Sequence, residues 1–385
     1  MFRYFAAALS GWLLLAPATS RAAVCSRADI AQAAAAIMPA RAALTAFPIV
    51  DDADVSIPPP ARSAISRMKT RLAALTEAYM RCAPLDIDPR VAQRELSALM
   101  GAGTPKTIDH YGQGIGIVVQ RPDAHRMILQ PGFAIKCAND DVTLVYAVEN
   151  GQWRERLLIR NDGYKDPAGA TDGLTVKLSA AESDGTWFAV ATTVAPWCSS
   201  NWTDIRYAVY RPSGDPLKPH KLFGGNASFY RNDDTGKLTV GMRDFDLRFT
   251  AESIDSGLFS REWVRHYSVI GDTVRRIPPF ADTPRDLVEE WIQSPWSDAQ
   301  LWTLPASHLQ AIHDKLHAKP YAEMLAVRVC RLGGWQVQIH HEEYDSDYFL
   351  TVDPAEGTNF TITDVSTSRN SHCAGKNLYD PNKPG

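Results

Sequence analysis

The hydrophobic positions of this chain change period more than once. Across residues 24–103 the sequence is alanine-rich, and Met38, Leu44, Ile65, Met68, Leu72, Leu75 and Met80 fall near helical spacing. This predicts one helix over 28–46 and another over 61–81, joined through Pro58-Pro59-Pro60. A third is predicted over 90–100, ending at Gly101 and Gly103, where glycine suits a helix C-terminus. From residue 115 the period becomes two. A first set of strands is predicted at 115–120, 126–130, 142–148 and 153–159. A second lies at 174–181, 187–194, 205–210 and 217–223, and a third at 228–231, 238–249, 263–269 and 273–277. Asn150-Gly151, Ser183-Asp184-Gly185 and Gly271-Asp272 separate alternating segments, the strongest short-range signal for antiparallel hairpins.

The helical period then returns. Thr283 suits an N-cap, Pro284 the first helical position, and Asp286 stands three residues after the cap. Leu287, Val288, Trp291 and Ile292 form an apolar stripe that Pro295 ends, and a second helix is predicted over 306–318. Alternation resumes at 325–331, 335–341, 348–352 and 360–365, around Gly333-Gly334.

A short device recurs through the β segments. Tyr146-Ala147-Val148, Tyr207-Ala208-Val209 and Tyr267-Ser268-Val269 are spaced by 61 and 60 residues, each near turn chemistry. The predicted unit is a four-stranded meander close to the size of a propeller blade. The expected fold is mainly β, with three or four such antiparallel units, propeller-like or as packed sheets. An N-terminal α-helical hairpin and a helical insertion complete it. The expected organisation is a signal peptide over 1–23, a helical region over 24–103 and a β-meander region over 104–282. A helical insertion over 283–320, a C-terminal β region over 321–373 and a flexible tail over 374–385 follow.

The leader bears on compartment. Arg3 precedes an apolar run over 5–15, and small residues follow over 16–23, the pattern of a cleavable export signal with cleavage after Ala22 or Ala23. Val24, standing where a small residue is wanted before Cys25, argues against lipidation. Export predicts a periplasmic or extracellular location, and no later apolar run is long enough to span a bilayer. All six cysteines follow the leader, and none form a CxxC pair, so disulfides are expected. A helical hairpin would bring Cys25 to Cys82. Cys330 with Cys373 would close the C-terminal β region, leaving Cys137 with Cys198. The net charge is −4, and −6 without Arg3 and Arg21, which argues against a nucleic-acid partner.

Candidate chemistry is sparse. His313 and His317 stand four apart on a predicted helix, and His340-His341-Glu342-Glu343 precedes a turn with Asp345 and Asp347. His313, His317, His340 and Glu342 therefore make a weak candidate ligand cluster, but the glutamate that follows the first histidine in zinc hydrolase helices is Asp314 here. No metal and no cofactor are expected. Ser66-Arg67-Met68-Lys69 fits Ser-x-x-Lys without the accompanying Lys-Thr-Gly, and Asp234-Thr235-Gly236 reads as a turn. Glu289-Glu290-Trp291 and Glu262-Trp263 place acids beside aromatics, as sugar sites do. Asn201, Asn226 and Asn359 begin glycosylation sequons. With no catalytic signature complete, the expected function is an exported, disulfide-stabilised binding or interaction protein of the cell envelope or extracellular space. Its ligand would be a protein or glycan, with no nucleic acid and no membrane span. The alternative is a secreted hydrolase of polysaccharide or another envelope polymer, using loop carboxylates or a His/Glu metal site.

Overall fold

The computed structural model describes residues 25–50, 57–103, 107–136, 138–160, 175–194, 202–230, 236–255, 260–356 and 359–380. The leader, Cys137, Cys198, Asn201 and Asp234 lie outside them. The fold is mainly β, with four antiparallel four-stranded sheets, each made of consecutive strands. Sheet 1 holds β1 (Gly116–Asp123), β2 (Arg126–Ile135), β3 (Ala138–Glu149) and β4 (Gln152–Arg160). Sheet 2 holds β5 (Thr175–Leu178), β6 (Ala189–Val194), β7 (Trp202–Arg211) and β8 (His220–Tyr230). Sheet 3 follows with β9 (Lys237–Val240), β10 (Asp244–Glu252), β11 (Ser260–Ile270) and β12 (Thr273–Arg276). Sheet 4 has β13 (Glu323–Val329), β14 (Trp335–His341), β15 (Ser346–Pro354) and β16 (Phe360–Ser366).

Turn chemistry explains why the strands fold back where they do. Asn150 and Gly151 take φ values of 50° and 70°, the left-handed pair that a two-residue hairpin with the native strand twist requires. The third sheet departs from expectation. Of the strand predicted over 228–231, the described residues 228–230 belong to the end of β8, and the single strand predicted over 238–249 is a hairpin turning at 241–243. The Gly241 amide donates to the Asp244 carbonyl, and a Cβ on Gly241 would strike the Asp244 carboxyl. Met242 continues the apolar alternation through that turn, which hides it from the sequence pattern.

The N-terminal helices are α1 (Arg27–Ala35), α2 (Ile37–Thr45), α3 (Pro59–Met80) and α4 (Pro89–Leu99). The helix predicted over 28–46 is broken at Ala36, because Pro39 cannot donate a helical hydrogen bond and its ring crowds the carbonyl four residues back. Cys25 and Cys82 are disulfide-bonded, tying the start of α1 to the end of α3. Cys330 and Cys373 form a second disulfide. The insertion contains α5 (Pro284–Gln293), α6 (Trp296–Ala299) and α7 (Ala306–His317). Thr283 caps α5 by accepting from the Asp286 amide at 3.1 Å.

Four apolar cores follow chain order. The helices α1–α4 cover one face of sheet 1 through Leu72, Leu75, Leu129 and Tyr146. Its other face meets sheet 2 through Ile128, Val145, Leu157 and Ala189. Sheets 2 and 3 share Val190, Val209, Phe245 and Tyr267, and α5 and α7 pack on sheet 4 through Trp291, Leu316 and Leu350. Helices thus cover outer sheet faces, and the sheets close no barrel. Tyr146, Tyr207 and Tyr267 all lie buried on the third strand of their sheets, three or four residues from its end. The recurring tyrosine marks a packing position. Among the described residues no helix is long and apolar enough to cross a membrane. Residues 374–380, expected to be loose, instead run along β13. Leu378 donates to the Val327 carbonyl at 2.8 Å, and the Tyr379 hydroxyl donates to Asp255 at 2.6 Å.

Candidate functional site

The cavity with the clearest chemistry lies between sheets 1 and 2, and strand register builds its floor. Ala191 on β6, Ala208 on β7 and Gly224 on β8 are directly paired across the three strands. Their side chains are minimal, so this row is a trough in the face of sheet 2 that looks toward sheet 1. Two taller rows bound it, since side chains two residues along a strand share one face. On one side stand Thr193, Arg206 and Asn226, and on the other Ala189, Tyr210 and Lys221. Sheet 1 supplies the opposing wall with Asp141, Ile159 and Arg160. The resulting cleft encloses about 530 Å³ and opens to solvent.

Several of the polar groups have an identifiable support. Arg160 donates to Ser66 Oγ at 3.1 Å and to Thr70 Oγ1 at 3.2 Å, which anchors its guanidinium on α3, the helix that packs on sheet 1. Asp141 accepts from Gln130 at 2.7 Å. A Cβ on Gly224 would lie 2.8 Å from the ammonium nitrogen of Lys221, so the glycine leaves the space in which that lysine rests. Burial pushes the Tyr210 hydroxyl above its ordinary pKa, so it stays a neutral donor. Among the described residues the lining includes Arg160, Arg206, Lys221 and Asp141, of which Arg160 is bonded to α3 and Asp141 to Gln130.

The histidines singled out in the sequence have other partners. His313 is fully buried, and its Nε2 donates to the carbonyls of Trp291 at 2.9 Å and Ser294 at 3.1 Å. His317 stacks on it with ring centroids 5.5 Å apart, and its Nδ1 donates to the Ile292 carbonyl at 2.8 Å. The pair satisfies the open carbonyls at the end of α5, which lack partners within that helix. Burial is the main reason His313 titrates below the usual histidine range, with the His317 field adding to it. His340 instead bonds Asp347 at 2.9 Å across the β14–β15 hairpin, and this contact raises its pKa. His341 donates to the Lys319 carbonyl, while Glu342 lies on the exposed turn that follows. Among the described residues no three His, Cys, Asp or Glu side chains are grouped to hold a metal ion. Replacing His317 by Ala is expected to cost about 1 kcal/mol, the net worth of one such hydrogen bond, in urea unfolding.

The acidic pair Glu289-Glu290 turns inward. Both side chains are at most 1% exposed. Glu290 meets Arg261 at 3.1 Å and Arg265 at 3.2 Å, and also pairs with Arg276. Glu289 meets Arg261 at 3.1 Å and Arg285 at 3.0 Å, and accepts from Ser253 at 2.7 Å. These contacts bolt α5 onto sheet 3. Ser66 accepts from Arg160, whereas Lys69 is buried against Asp140 at 3.0 Å, so the two ends of that Ser-x-x-Lys have separate partners. Of the cleft residues, the sequence marks only Tyr207 and Ala208, through the recurring tripeptide, and Asn226, as a sequon. No protein-family model matches the chain, and no curated protein matches it.

Proposed function

We propose that this is an exported, disulfide-stabilised binding protein of the cell envelope or extracellular space, and that the cleft between sheets 1 and 2 receives a glycan. The cleft is the observation that carries the reading. Its volume falls in the range of small-ligand sites, roughly 300–1,000 Å³. Thr193, Asn226 and Tyr210 offer hydroxyl, amide and phenol groups beside a flat floor of small residues, which suits the face and edges of a sugar ring. The two disulfides agree with an oxidising compartment. A glycan is favoured over a protein partner because the site is a concave trough, while stable protein interfaces bury about 800 Å² per partner. Binding is favoured over hydrolysis because Asp141, the one carboxylate among the described residues that line the trough, is hydrogen-bonded to Gln130.

The test is a glycan array probed with the wild-type protein and with Ala208→Trp, which fills the floor of the trough. Wild type is expected to retain a discrete set of glycans, and the variant, folded by circular dichroism, to lose them by at least tenfold in affinity. Equal retention by the two proteins overturns the reading.

A further inference from the structure

We infer that β8 is the pairing edge for a second copy of this chain. The two β8 strands lie antiparallel across a two-fold axis, so that sheet 2 continues from one protomer into the next. This pairing is independent of what the cleft holds. Four sheets have eight edge strands, and seven of them are blunted in ways that keep a sheet from pairing with another molecule. β5, β9 and β12 are four residues long and carry Lys177, Lys237 and Arg275-Arg276. On β1 the Val119 amide donates to Gln93 of α4 at 3.2 Å, and the strand ends in Arg121-Pro122-Asp123. β4 carries Arg154, Glu155 and Arg156, and its Leu158 amide donates to the Pro216 carbonyl at 3.0 Å. The C-terminal tail bonds β13 through Leu378, and Leu304 donates to the Ile362 carbonyl of β16 at 2.8 Å.

β8 is the exception. It is 11 residues long, and beyond a bulge at Leu222 it pairs with β7 in unbroken register from Phe223 to Tyr230. That stretch reads Phe-Gly-Gly-Asn-Ala-Ser-Phe-Tyr, with no charged residue and no proline. Among the described residues its backbone groups bond only β7, so alternate N–H and C=O groups point outward unpaired. A second copy fits this edge for three reasons. Two-fold pairing sets the strand against itself, and an uncharged strand meets itself without opposing like charges. The axis stands normal to the sheet, so the same face of sheet 2 looks the same way in both protomers. On that face sheet 1 packs on β5, β6 and Tyr210 of β7, while Gly224, Asn226 and Ser228 of β8 are exposed. The pairing also closes. It consumes both β8 edges and leaves β5, short and bearing Lys177, at each end of the joined sheet, so assembly stops at two copies.

Analytical ultracentrifugation of the protein with its disulfides intact, over about 1 to 200 μM, measures the association. Hydrogen exchange over the same range locates it. The expected result is a reversible equilibrium between monomer and dimer, with the amides of residues 223–230 exchanging more slowly as concentration rises. Ser228 is exposed and stands outside the cleft lining, so it can carry a substitution without touching that site. Ser228→Lys is expected to weaken the dimer at least tenfold, because a lysine on an edge strand opposes pairing. Ser228→Thr, uncharged and suited to a strand, is expected to dimerise as wild type does. Circular dichroism checks that each variant is folded, and the exchange measurement on wild type decides the question without either. A monomer throughout the range, a dimer whose β8 amides exchange at the monomer's rate, or a dimer that Ser228→Lys leaves unchanged overturns the inference. Growth beyond two copies overturns it as well.

Discussion

Replacing Glu290 by Gln is expected to destabilise the fold by about 3–5 kcal/mol, the range seen when one member of a buried ion cluster is removed. The carboxylate is 1% exposed and stands among Arg261, Arg265 and Arg276. Burial alone would raise its pKa, but the three guanidinium fields outweigh that penalty and hold it at about 2, against 4.5 in free glutamate. Glutamine keeps the shape and removes the charge. Glu289 still serves Arg261 and Arg285, so the loss falls on Arg265 and Arg276. Both retain an aromatic face, Trp263 at 4.5 Å and Trp302 at 5.0 Å, which replaces only part of a full ion pair. The sign with pH follows from the lowered value. A carboxylate whose folded pKa is depressed contributes stability above its unfolded pKa, and that contribution is lost as pH falls through about 2. The measurement is urea unfolding at pH 7, with Glu262→Gln as control. Glu262 is a 56% exposed acid on β11, and its loss is expected to stay within about 0.5 kcal/mol. A change below 1 kcal/mol at Glu290 would mean that the cluster does not hold α5 to sheet 3.

Much of the architecture is written in local chemistry. The pairs Asn150-Gly151 and Gly271-Asp272 mark their hairpins in the sequence, and Thr283-Pro284 and Asp88-Pro89 open helices where capping chemistry requires. These signals act over two to four neighbouring residues, so one sequence displays them. The N-terminal disulfide is legible for a similar reason, since two helices joined by a proline-rich link can fold back as a hairpin. The cleft depends on register between distant strands. Ala191, Ala208 and Gly224 are unremarkable until their pairing sets them side by side. Glu289 and Glu290 mislead for the opposite reason. Charged residues are almost never fully buried unless paired, and their partners lie on β11, β12 and within α5. The histidines of α7 mislead likewise, because a helix spacing that suits a metal also suits two carbonyls at the end of a neighbouring helix.

The second large effect is expected in the pH dependence of stability, and it centres on Glu155. This half-buried side chain on β4 accepts a hydrogen bond from the Tyr146 hydroxyl at 3.3 Å. Its pKa is raised from 4.5 to about 7, first by burial and then by the field of Glu77 on α3, while the Tyr146 hydrogen bond acts in the opposite direction. Between those two values the folded protein holds a proton that the unfolded chain has released. Stability from this group is therefore fully present below about pH 4.5 and is lost as pH rises through about 7. The full linkage would be about 3 kcal/mol, and solvent access at a half-buried group reduces it to about 2 kcal/mol. Glu155→Gln keeps an acceptor for Tyr146 and cannot ionise. It is expected to match wild type near pH 4.5 and to exceed it by about 2 kcal/mol at pH 8. Urea unfolding of both proteins at pH 5, 6, 7 and 8, with the disulfides intact, measures the difference. Histidines titrate in the same window, but they are common to both proteins and cancel in the comparison. Parallel curves for the two proteins would show that the Glu155 carboxyl is ionised in the folded state throughout, and that the seam between α3 and sheet 1 tolerates the charge of both Glu77 and Glu155.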